Sequence, residues 1–222
     1  MPRACVSNAS SRESMVRNVN CRLPLSRCSH RVGYGGPVTQ LALIRHGETD
    51  WNRERRLQGR ADIALNDTGV EQAAALAASL DPAEWSLILS SPLGRAWETA
   101  RTLSVASGIR LGDPAEGLIE RSFGQAEGEI VTDAKARWGE EPYPGSETPD
   151  EVEERAARYL NEVIVRVPGN VICVSHGAFI RAAVRALTGA DIGGVGNAEM
   201  VRLEYSDGNW DLLPNPVVTA AS

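Results

Sequence analysis

The stretch Leu41-Ala42-Leu43-Ile44-Arg45-His46-Gly47 decides the fold of this chain, and a second stretch repeats its construction. In the second, Val171-Ile172-Cys173-Val174 runs into Ser175-His176-Gly177. Each is a short apolar run, typical of a buried strand, followed at once by a polar residue, a histidine and a glycine. In an open α/β sheet, ligands bind outside the carboxyl ends of the strands. Two imidazoles delivered to that edge can therefore share one site.

The flanking sequence alternates between strand-like and helix-like segments. Apolar runs predict strands, and apolar residues at helical spacing behind a polar capping residue predict helices. The predicted strands are 38–45, 85–90, 109–111, 170–175, 200–205 and 210–213, and the predicted helices are 70–80, 93–107, 152–167 and 178–188. This alternation predicts an α/β fold, a three-layer α/β/α sandwich with a mostly parallel central sheet. Residues 121–148, with several glycines and prolines, are predicted to form an irregular lid or loop.

Charge is distributed unequally along the 222 residues. The net charge is −6, but residues 1–37 hold six arginines and one acid, Glu13, so this segment carries +5 and the remainder −11. We expect residues 1–37 to be a disordered or mis-annotated N-terminal extension and residues 38–222 to form one domain. An acidic domain is poorly suited to bind nucleic acid, and no apolar run reaches the roughly 18–20 residues that span a bilayer.

The cysteines favour a reducing compartment. Three of the four lie within residues 1–37, and the fourth, Cys173, lies inside a predicted strand. The domain cannot hold a disulfide framework, so we expect a cytoplasmic protein. A transit peptide is an alternative for the Arg- and Ser-rich extension, whereas the spacing of its cysteines and His30 disfavours a zinc site.

The motif around the first histidine is the most specific signal in the chain. Leu-Ile-Arg-His-Gly-Glu-Thr-x-Trp-Asn at residues 43–52, followed by Leu-Gln-Gly at 57–59 and Leu-Asn-x-x-Gly at 65–69, resembles the histidine phosphatase superfamily, also called the phosphoglycerate-mutase-like family. The resemblance covers about residues 40–212. It implies hydrolysis of a small phosphorylated metabolite through a phosphohistidine intermediate, with no metal and no cofactor.

The resemblance assigns five residues to the chemistry. His46 is the nucleophile, Arg45 and Arg95 bind the phosphate, His176 donates to the transferring phosphoryl group, and Glu120 is the acid-base carboxylate. The chemistry agrees, because a neutral imidazole is a competent nucleophile and arginine can grip phosphate oxygens in a bidentate fork. Departure of an alcohol needs a proton, which a carboxylic acid with a raised pKa can supply.

Other residues are predicted to play secondary parts. Two nearby carboxylates, Glu127 and Glu129, could substitute for Glu120. The residues predicted to contact the substrate, mainly through amide and backbone donors, are Asn52, Gln58, Gly59 and Gly177. No cluster at metal-ligand spacing occurs in residues 38–222, so no metal site is predicted.

The loop sequence favours a phosphatase over a mutase. Mutases of the family carry a tyrosine after the catalytic Glu-Arg pair and a long basic insertion, whereas this chain has Phe123, and residues 128–144 hold only Lys135 and Arg137 against four acids. The segments 124–128 and 144–148 also depart from the usual phosphatase patterns. The alternatives are a cofactor-dependent phosphoglycerate mutase and a non-catalytic module that binds a phosphorylated ligand. We expect a monomer or homodimer.

Overall fold

The computed structural model describes residues 39–214, and the expectations for residues 1–37 lie outside this range. Six strands form one sheet in the order β3-β2-β4-β1-β5-β6. The strands are β1 (Thr39–Arg45), β2 (Leu87–Ser90), β3 (Leu111–Pro114), β4 (Val171–Ser175), β5 (Met200–Ser206) and β6 (Asn209–Leu212). The first four are parallel, and β5 and β6 add an antiparallel hairpin beside β1. The prediction of a mostly parallel sheet is confirmed.

Residues 39–214 contain six α-helices, and a side chain caps the start of three of these helices. The six helices are α1 (Asp50–Arg53), α2 (Asp67–Ala77), α3 (Gly94–Ser107), α4 (Val131–Trp138), α5 (Pro149–Arg166) and α6 (Gly177–Thr188). Asn66 caps α2 by accepting from the Gly69 N–H, and a capping box between Thr148 and Glu151 starts α5. Such caps satisfy N–H groups that have no partner inside the helix.

Helices cover both faces of the sheet. Leu41 and Leu43 of β1 face a core cluster that includes residues of α5 and α6, whereas Ala42 and Ile44 face one that includes α2 and α3. The alternation follows from the two-residue period of a strand. Each fully buried leucine or isoleucine contributes roughly 1.5–3 kcal/mol to folding. The predicted three-layer sandwich is therefore confirmed.

Three elements differ from the sequence prediction, and the first is β3, which lies at Leu111–Pro114 and not at the predicted residues 109–111. Residues 121–148 are not irregular throughout, because they contain α4 and a 3-10 turn, Gly124–Ala126. They form a small core of their own, made of Phe123, Ala126, Ala134 and Tyr143. The short helix α1 was also not predicted, and it depends on a capping box between Thr49 and Asn52.

The strand order brings the two histidine motifs together. β1 and β4 are parallel neighbours, with Arg45 opposite Ser175, so His46 and His176 leave the sheet side by side. β2 lies on the other side of β4 and carries the chain to α3 and Arg95 at the same edge. Within residues 39–214, no helix combines the length and apolar character needed to cross a membrane.

Candidate active site

A pocket of about 210 Å³ opens where β1 and β4 end. Eight of the nine residues predicted from sequence line it: Arg45, His46, Asn52, Gln58, Gly59, Arg95, Glu120 and Gly177. The ninth, His176, is fully buried, with its ring centre 5.2 Å from that of His46. The structure thus brings all nine into one region.

His46 is held in the tautomer that leaves Nε2 unprotonated. Its Nδ1 lies 2.7 Å from the Gly47 carbonyl oxygen, which can only accept, so Nδ1 carries the proton. Nε2 accepts a hydrogen bond from Arg95 Nε at 3.2 Å. Burial, together with the charges of Arg95 and Arg45, lowers the pKa of His46 well below its usual value. The ring is therefore neutral near pH 7 and offers a lone pair at Nε2.

Arg95 is a fully buried arginine without a carboxylate partner among residues 39–214. Its Nη1 donates to the Ala61 carbonyl oxygen at 2.7 Å, and its Nη2 donates to the Gly59 carbonyl oxygen at 2.8 Å. Burial lowers its pKa, and the nearby Glu120 opposes this shift. The carbonyl groups orient the guanidinium but carry no negative charge that would form an ion pair with it. Such a charge in the first turn of a helix can bind phosphate oxygens.

Arg45 provides a second guanidinium at the pocket. Its Nη1 donates to the Val195 carbonyl oxygen at 2.7 Å. Its buried Nε has no hydrogen-bond partner within the described chain. Burial lowers the pKa of Arg45, Glu120 raises it, and Arg181 lowers it further. An unsatisfied buried donor carries a free-energy cost that an anionic ligand can remove.

His176 lies behind His46 and is held by a serine. Its Nε2 shares a hydrogen bond of 2.8 Å with Ser91 Oγ, while its Nδ1 has no partner in the described part of the chain. Burial and the charge of Arg95 lower its pKa well below the usual value, so this ring is also neutral. The Nδ1 atom is thus a buried polar atom whose hydrogen-bonding capacity the described chain does not use.

Glu120 is the carboxylate that lines the pocket. Its Oε1 accepts from the Phe179 N–H and from the Arg121 N–H, both at 2.9 Å, and its Oε2 accepts from the Ala178 N–H at 3.2 Å. Two of these donors belong to the first turn of α6. The side chain is therefore fixed in position by the backbone.

The two alternative carboxylates lie elsewhere. Glu127 Oε1 accepts from the N–H groups of Arg60 and Phe123, both at 3.1 Å, and so holds the loop together. Glu129 forms an ion pair with Arg137 at 2.8 Å. Neither glutamate lines the pocket, so the geometry singles out Glu120.

The residues predicted to contact the substrate differ in which hydrogen-bonding groups they leave unused. Asn52 Oδ1 accepts from the Thr49 N–H and from Asn197 Nδ2, each at 3.1 Å, which leaves its own amide Nδ2 as the group free to donate. The Gly59 carbonyl oxygen is already used by Arg95. Gln58 Oε1 is buried without a partner in residues 39–214. Gly177 begins α6, and a Cβ built on it would lie 3.5 Å from Arg45 Nε.

Two glycines set the path of the chain after β1. A Cβ on Gly47 would lie 2.3 Å from the Gly69 carbonyl oxygen, and a Cβ on Gly69 would lie 2.2 Å from the Glu48 carbonyl oxygen. No side chain fits between these backbones. The loop after His46 therefore packs directly on the first turn of α2, which explains why residues 47 and 69 are both glycine.

Sequence reasoning missed three residues of the site. Ser91 forms a hydrogen bond with His176. Ser91 directly follows β2, just as His46 directly follows β1, so the same position at the end of a strand could have identified it. Asn197 Nδ2 donates to the His46 carbonyl oxygen at 3.1 Å, but it follows a glycine-rich stretch with no periodicity that would reveal it. Arg181 lines the pocket from α6, but it belongs to no motif of the sequence and was therefore not predicted.

Comparison with known proteins identifies the family. Residues 41–214 match the model described as the histidine phosphatase superfamily, branch 1. The chain belongs to the histidine phosphatase superfamily. No group of three or more His, Cys, Asp or Glu side chains able to hold a metal ion occurs in the part of this histidine phosphatase that the structure describes.

Its relatives include named phosphatases. It is 33% identical over 178 residues to the uncharacterized phosphatase PhoE of Bacillus subtilis, covering 78% of this chain and 92% of that protein. It is 33% identical over 174 residues to putative phosphoserine phosphatase 2 of Hydrogenobacter thermophilus, covering 73% and 85%. The native structure of a mycobacterial glucosyl-3-phosphoglycerate phosphatase matches with a TM-score of 0.72 and 28% identity, over 79% of this chain and 97% of that one. This histidine phosphatase is a phosphomonoester hydrolase of small phosphorylated metabolites.

Proposed function

We propose that hydrolysis proceeds through a phosphohistidine formed on His46. The observation that carries this proposal is the unprotonated Nε2, fixed by the hydrogen bond from Nδ1 to Gly47 and flanked by two guanidinium groups. In the first step Nε2 forms a bond to phosphorus and the bond from phosphorus to the ester oxygen breaks. In the second, water attacks phosphorus, the bond to Nε2 breaks, and inorganic phosphate leaves. Dividing the displacement in this way replaces one difficult step by two easier ones.

Glu120 handles the proton in both steps. It gives a proton to the departing alcohol oxygen and later, as a carboxylate, takes one from the attacking water. The three backbone N–H groups that hold it keep the carboxyl group in the pocket. Glu127 and Glu129 are occupied elsewhere, which supports this assignment.

Arg45, Arg95 and His176 stabilise the transferring phosphoryl group. Both guanidinium groups are buried or nearly so and already oriented by carbonyl oxygens, so they need little rearrangement as charge develops. The unpartnered Nδ1 of His176 donates to a phosphoryl oxygen. The Nδ2 of Asn52 provides a further donor at the pocket wall. Gln58, Gly59 and Gly177 line the same wall and bind the substrate.

The loop supports hydrolysis rather than isomerisation of phosphoglycerate. The only two basic residues of 128–144 are paired with acids: Lys135 lies 3.0 Å from Glu140, and Arg137 lies 2.8 Å from Glu129. Neither basic residue lines the pocket, so neither can hold a substrate carboxylate there. We expect no conversion of 3-phosphoglycerate to 2-phosphoglycerate, even with 2,3-bisphosphoglycerate added.

We also place the enzyme in the cytoplasm, as a monomer or homodimer without a nucleic-acid or membrane partner. The cysteine of the described chain, Cys173, is a buried free thiol whose pKa is raised by burial, which suits a reducing compartment.

The proposed chemistry is tested with p-nitrophenyl phosphate. We expect the His46→Ala variant to lose at least about a thousandfold in kcat, because the nucleophile is absent. We also expect wild-type activity to persist in EDTA. Hydrolysis by His46→Ala at the wild-type rate, or loss of wild-type activity in EDTA, would refute the proposal.

A further inference from the structure

Two of the arginines that line the pocket, Arg56 and Arg181, take no part in the proposed phosphoryl chemistry. Four arginines line it, and three of them have hydrogen bonds: Arg45 to Val195, Arg95 to Gly59 and Ala61, and Arg56 to Gly128 and Glu54. The side chain of Arg181 forms neither a hydrogen bond nor an ion pair within residues 39–214. Its charge therefore faces the pocket without a protein partner.

The acids near Arg181 are engaged by other groups. Arg181 also lines a groove on the outer side of Ala178, together with Glu141, Glu153 and Asp191. Glu141 pairs with the buried Arg121, Glu153 lies 3.6 Å from Arg185, and Asp191 accepts from the Gly193 N–H at 2.9 Å. No carboxylate of this groove is within ion-pair distance of Arg181.

Helix geometry places Arg181 beyond the phosphate-binding end of the pocket. Gly177 and Arg181 both line the pocket and are four residues apart on α6, so they share one face of the helix. Gly177 lies against Arg45, which marks the phosphate end. At 1.5 Å per residue, Arg181 is about 6 Å further along the helix axis. Arg181 and Arg45 are close enough for one charge to lower the pKa of the other guanidinium.

The pocket wall between these two ends suits a short carbon chain. Leu57, Phe123, Ala178 and Val195 line it with apolar groups. A phosphate ester of a small alcohol that enters with its phosphate at Arg45 and Arg95 would carry its carbon atoms past this wall toward Arg181. A single unpaired guanidinium balances one negative charge, which matches a carboxylate better than a second phosphate dianion.

We propose that Arg181 binds a carboxylate on the leaving alcohol, so that the preferred substrates are phosphomonoesters of small hydroxy acids. This inference rests on the proposed function, because it takes the phosphate position from it. The chain would thus recognise a carboxylate from α6 and not from the loop 121–148.

The test uses a matched pair of substrates. 3-Phosphoglycerate and glycerol 3-phosphate differ in that a carboxylate replaces a hydroxymethyl group, so the ratio of their kcat/KM values reports on that group alone. We expect wild type to favour 3-phosphoglycerate by about tenfold, the effect of one charge-assisted hydrogen bond near the surface. In Arg181→Gln the ratio should fall to about one, and Arg181→Lys should retain part of it.

Arg185→Gln is the matched control, because Arg185 is one turn further along α6, is paired with Glu153 and does not line the pocket. It should keep the wild-type ratio. An unchanged ratio in Arg181→Gln, an equal loss in Arg185→Gln, or a wild type that shows no preference would overturn the proposal. The same two compounds can also be tested as inhibitors of p-nitrophenyl phosphate hydrolysis. The ratio of their inhibition constants measures the preference for the carboxylate without following the hydrolysis of either compound. The His46→Ala variant tests the phosphohistidine separately, so the failure of one proposal is distinguishable from that of the other.

Discussion

Arg95 donates its Nε–H to His46 Nε2 across 3.2 Å, which joins the buried guanidinium to the nitrogen that we propose attacks phosphorus. His46 directly follows β1 and Arg95 lies in α3, and the guanidinium is held in position by carbonyl oxygens that accept from its other two nitrogens. The arginine therefore keeps the imidazole neutral and in place until a phosphate oxygen replaces Nε2 as its acceptor.

The first prediction concerns this pair. We expect Arg95→Lys to lower kcat/KM for p-nitrophenyl phosphate by roughly 10²–10³, because lysine keeps the charge but loses the planar fork and its two carbonyl contacts. Steady-state kinetics would measure the loss, and circular dichroism would confirm folding. Arg101→Lys, on the exposed face of the same helix, is the control and should retain wild-type kinetics. A loss below about threefold in Arg95→Lys would contradict the assigned contact.

The second prediction concerns the leaving group. Glu120→Gln removes the proton donor, which matters for an alkoxide but little for p-nitrophenolate, an anion that leaves without protonation. We expect the rate of phosphoenzyme formation to fall by about 10²–10⁴ for an alkyl phosphate and much less for p-nitrophenyl phosphate. Pre-steady-state kinetics on both substrates would separate the two rates. Glu129→Gln should behave as wild type, and an equal loss on both substrates would argue against Glu120 as the acid.

The third prediction concerns the close approach of two backbones. Gly47→Ala should lower the free energy of unfolding by about 1–3 kcal/mol or more, because its Cβ would overlap the Gly69 carbonyl group. Gly194→Ala is the control, since a Cβ there meets nothing within 4 Å and the backbone is not left-handed. Urea unfolding would compare the two variants. Equal stabilities would show that the loop after His46 can move away from α2.

The fourth prediction is a pH dependence of stability. His46 and His176 are fully buried, and their pKa values are lowered in the folded state. Below about pH 6.5 the unfolded chain binds protons that the folded chain does not, so stability is complete above this pH and falls as the pH falls. Each histidine should contribute a slope of about 1.4 kcal/mol per pH unit between roughly pH 6.5 and 5.

Urea unfolding of wild type and His176→Asn at several pH values would measure these slopes. The variant should lose about half of the wild-type slope. Identical slopes would mean that His176 is protonated in the folded protein or is not buried.

Much of the site could be predicted from the sequence because its residues occupy positions that the fold dictates. His46 and His176 follow apolar runs that can only be buried strands, and Arg95 follows the next such run by a few residues. Parallel strands end at the same edge of a sheet, so the topology alone places these three residues near one another. The resemblance assigned the acid-base role to Glu120 and left Glu127 and Glu129 as alternatives, and of these three glutamates only Glu120 lines the pocket.

The rest depends on contacts between distant segments. Asn197 reaches the His46 carbonyl oxygen from 151 residues away, and no local pattern encodes that hydrogen bond. The helix α4 was not predicted because glycines and prolines lie on either side of it. It also buries only one residue, Ala134, so it shows no apolar periodicity. Arg181 belongs to no sequence motif, and only the structure shows that it lines the pocket.

Direct detection of a phosphate group on His46 is the most decisive test of the proposed phosphohistidine. The enzyme is mixed rapidly with p-nitrophenyl phosphate and quenched in base, where phosphohistidine survives, and its peptides are analysed by mass spectrometry. We expect one added phosphate on His46 in the wild-type enzyme and none in His46→Ala. This phosphate should form and disappear at rates no slower than kcat. Phosphate on another residue, or full turnover with no phosphoenzyme on His46, would contradict the proposal.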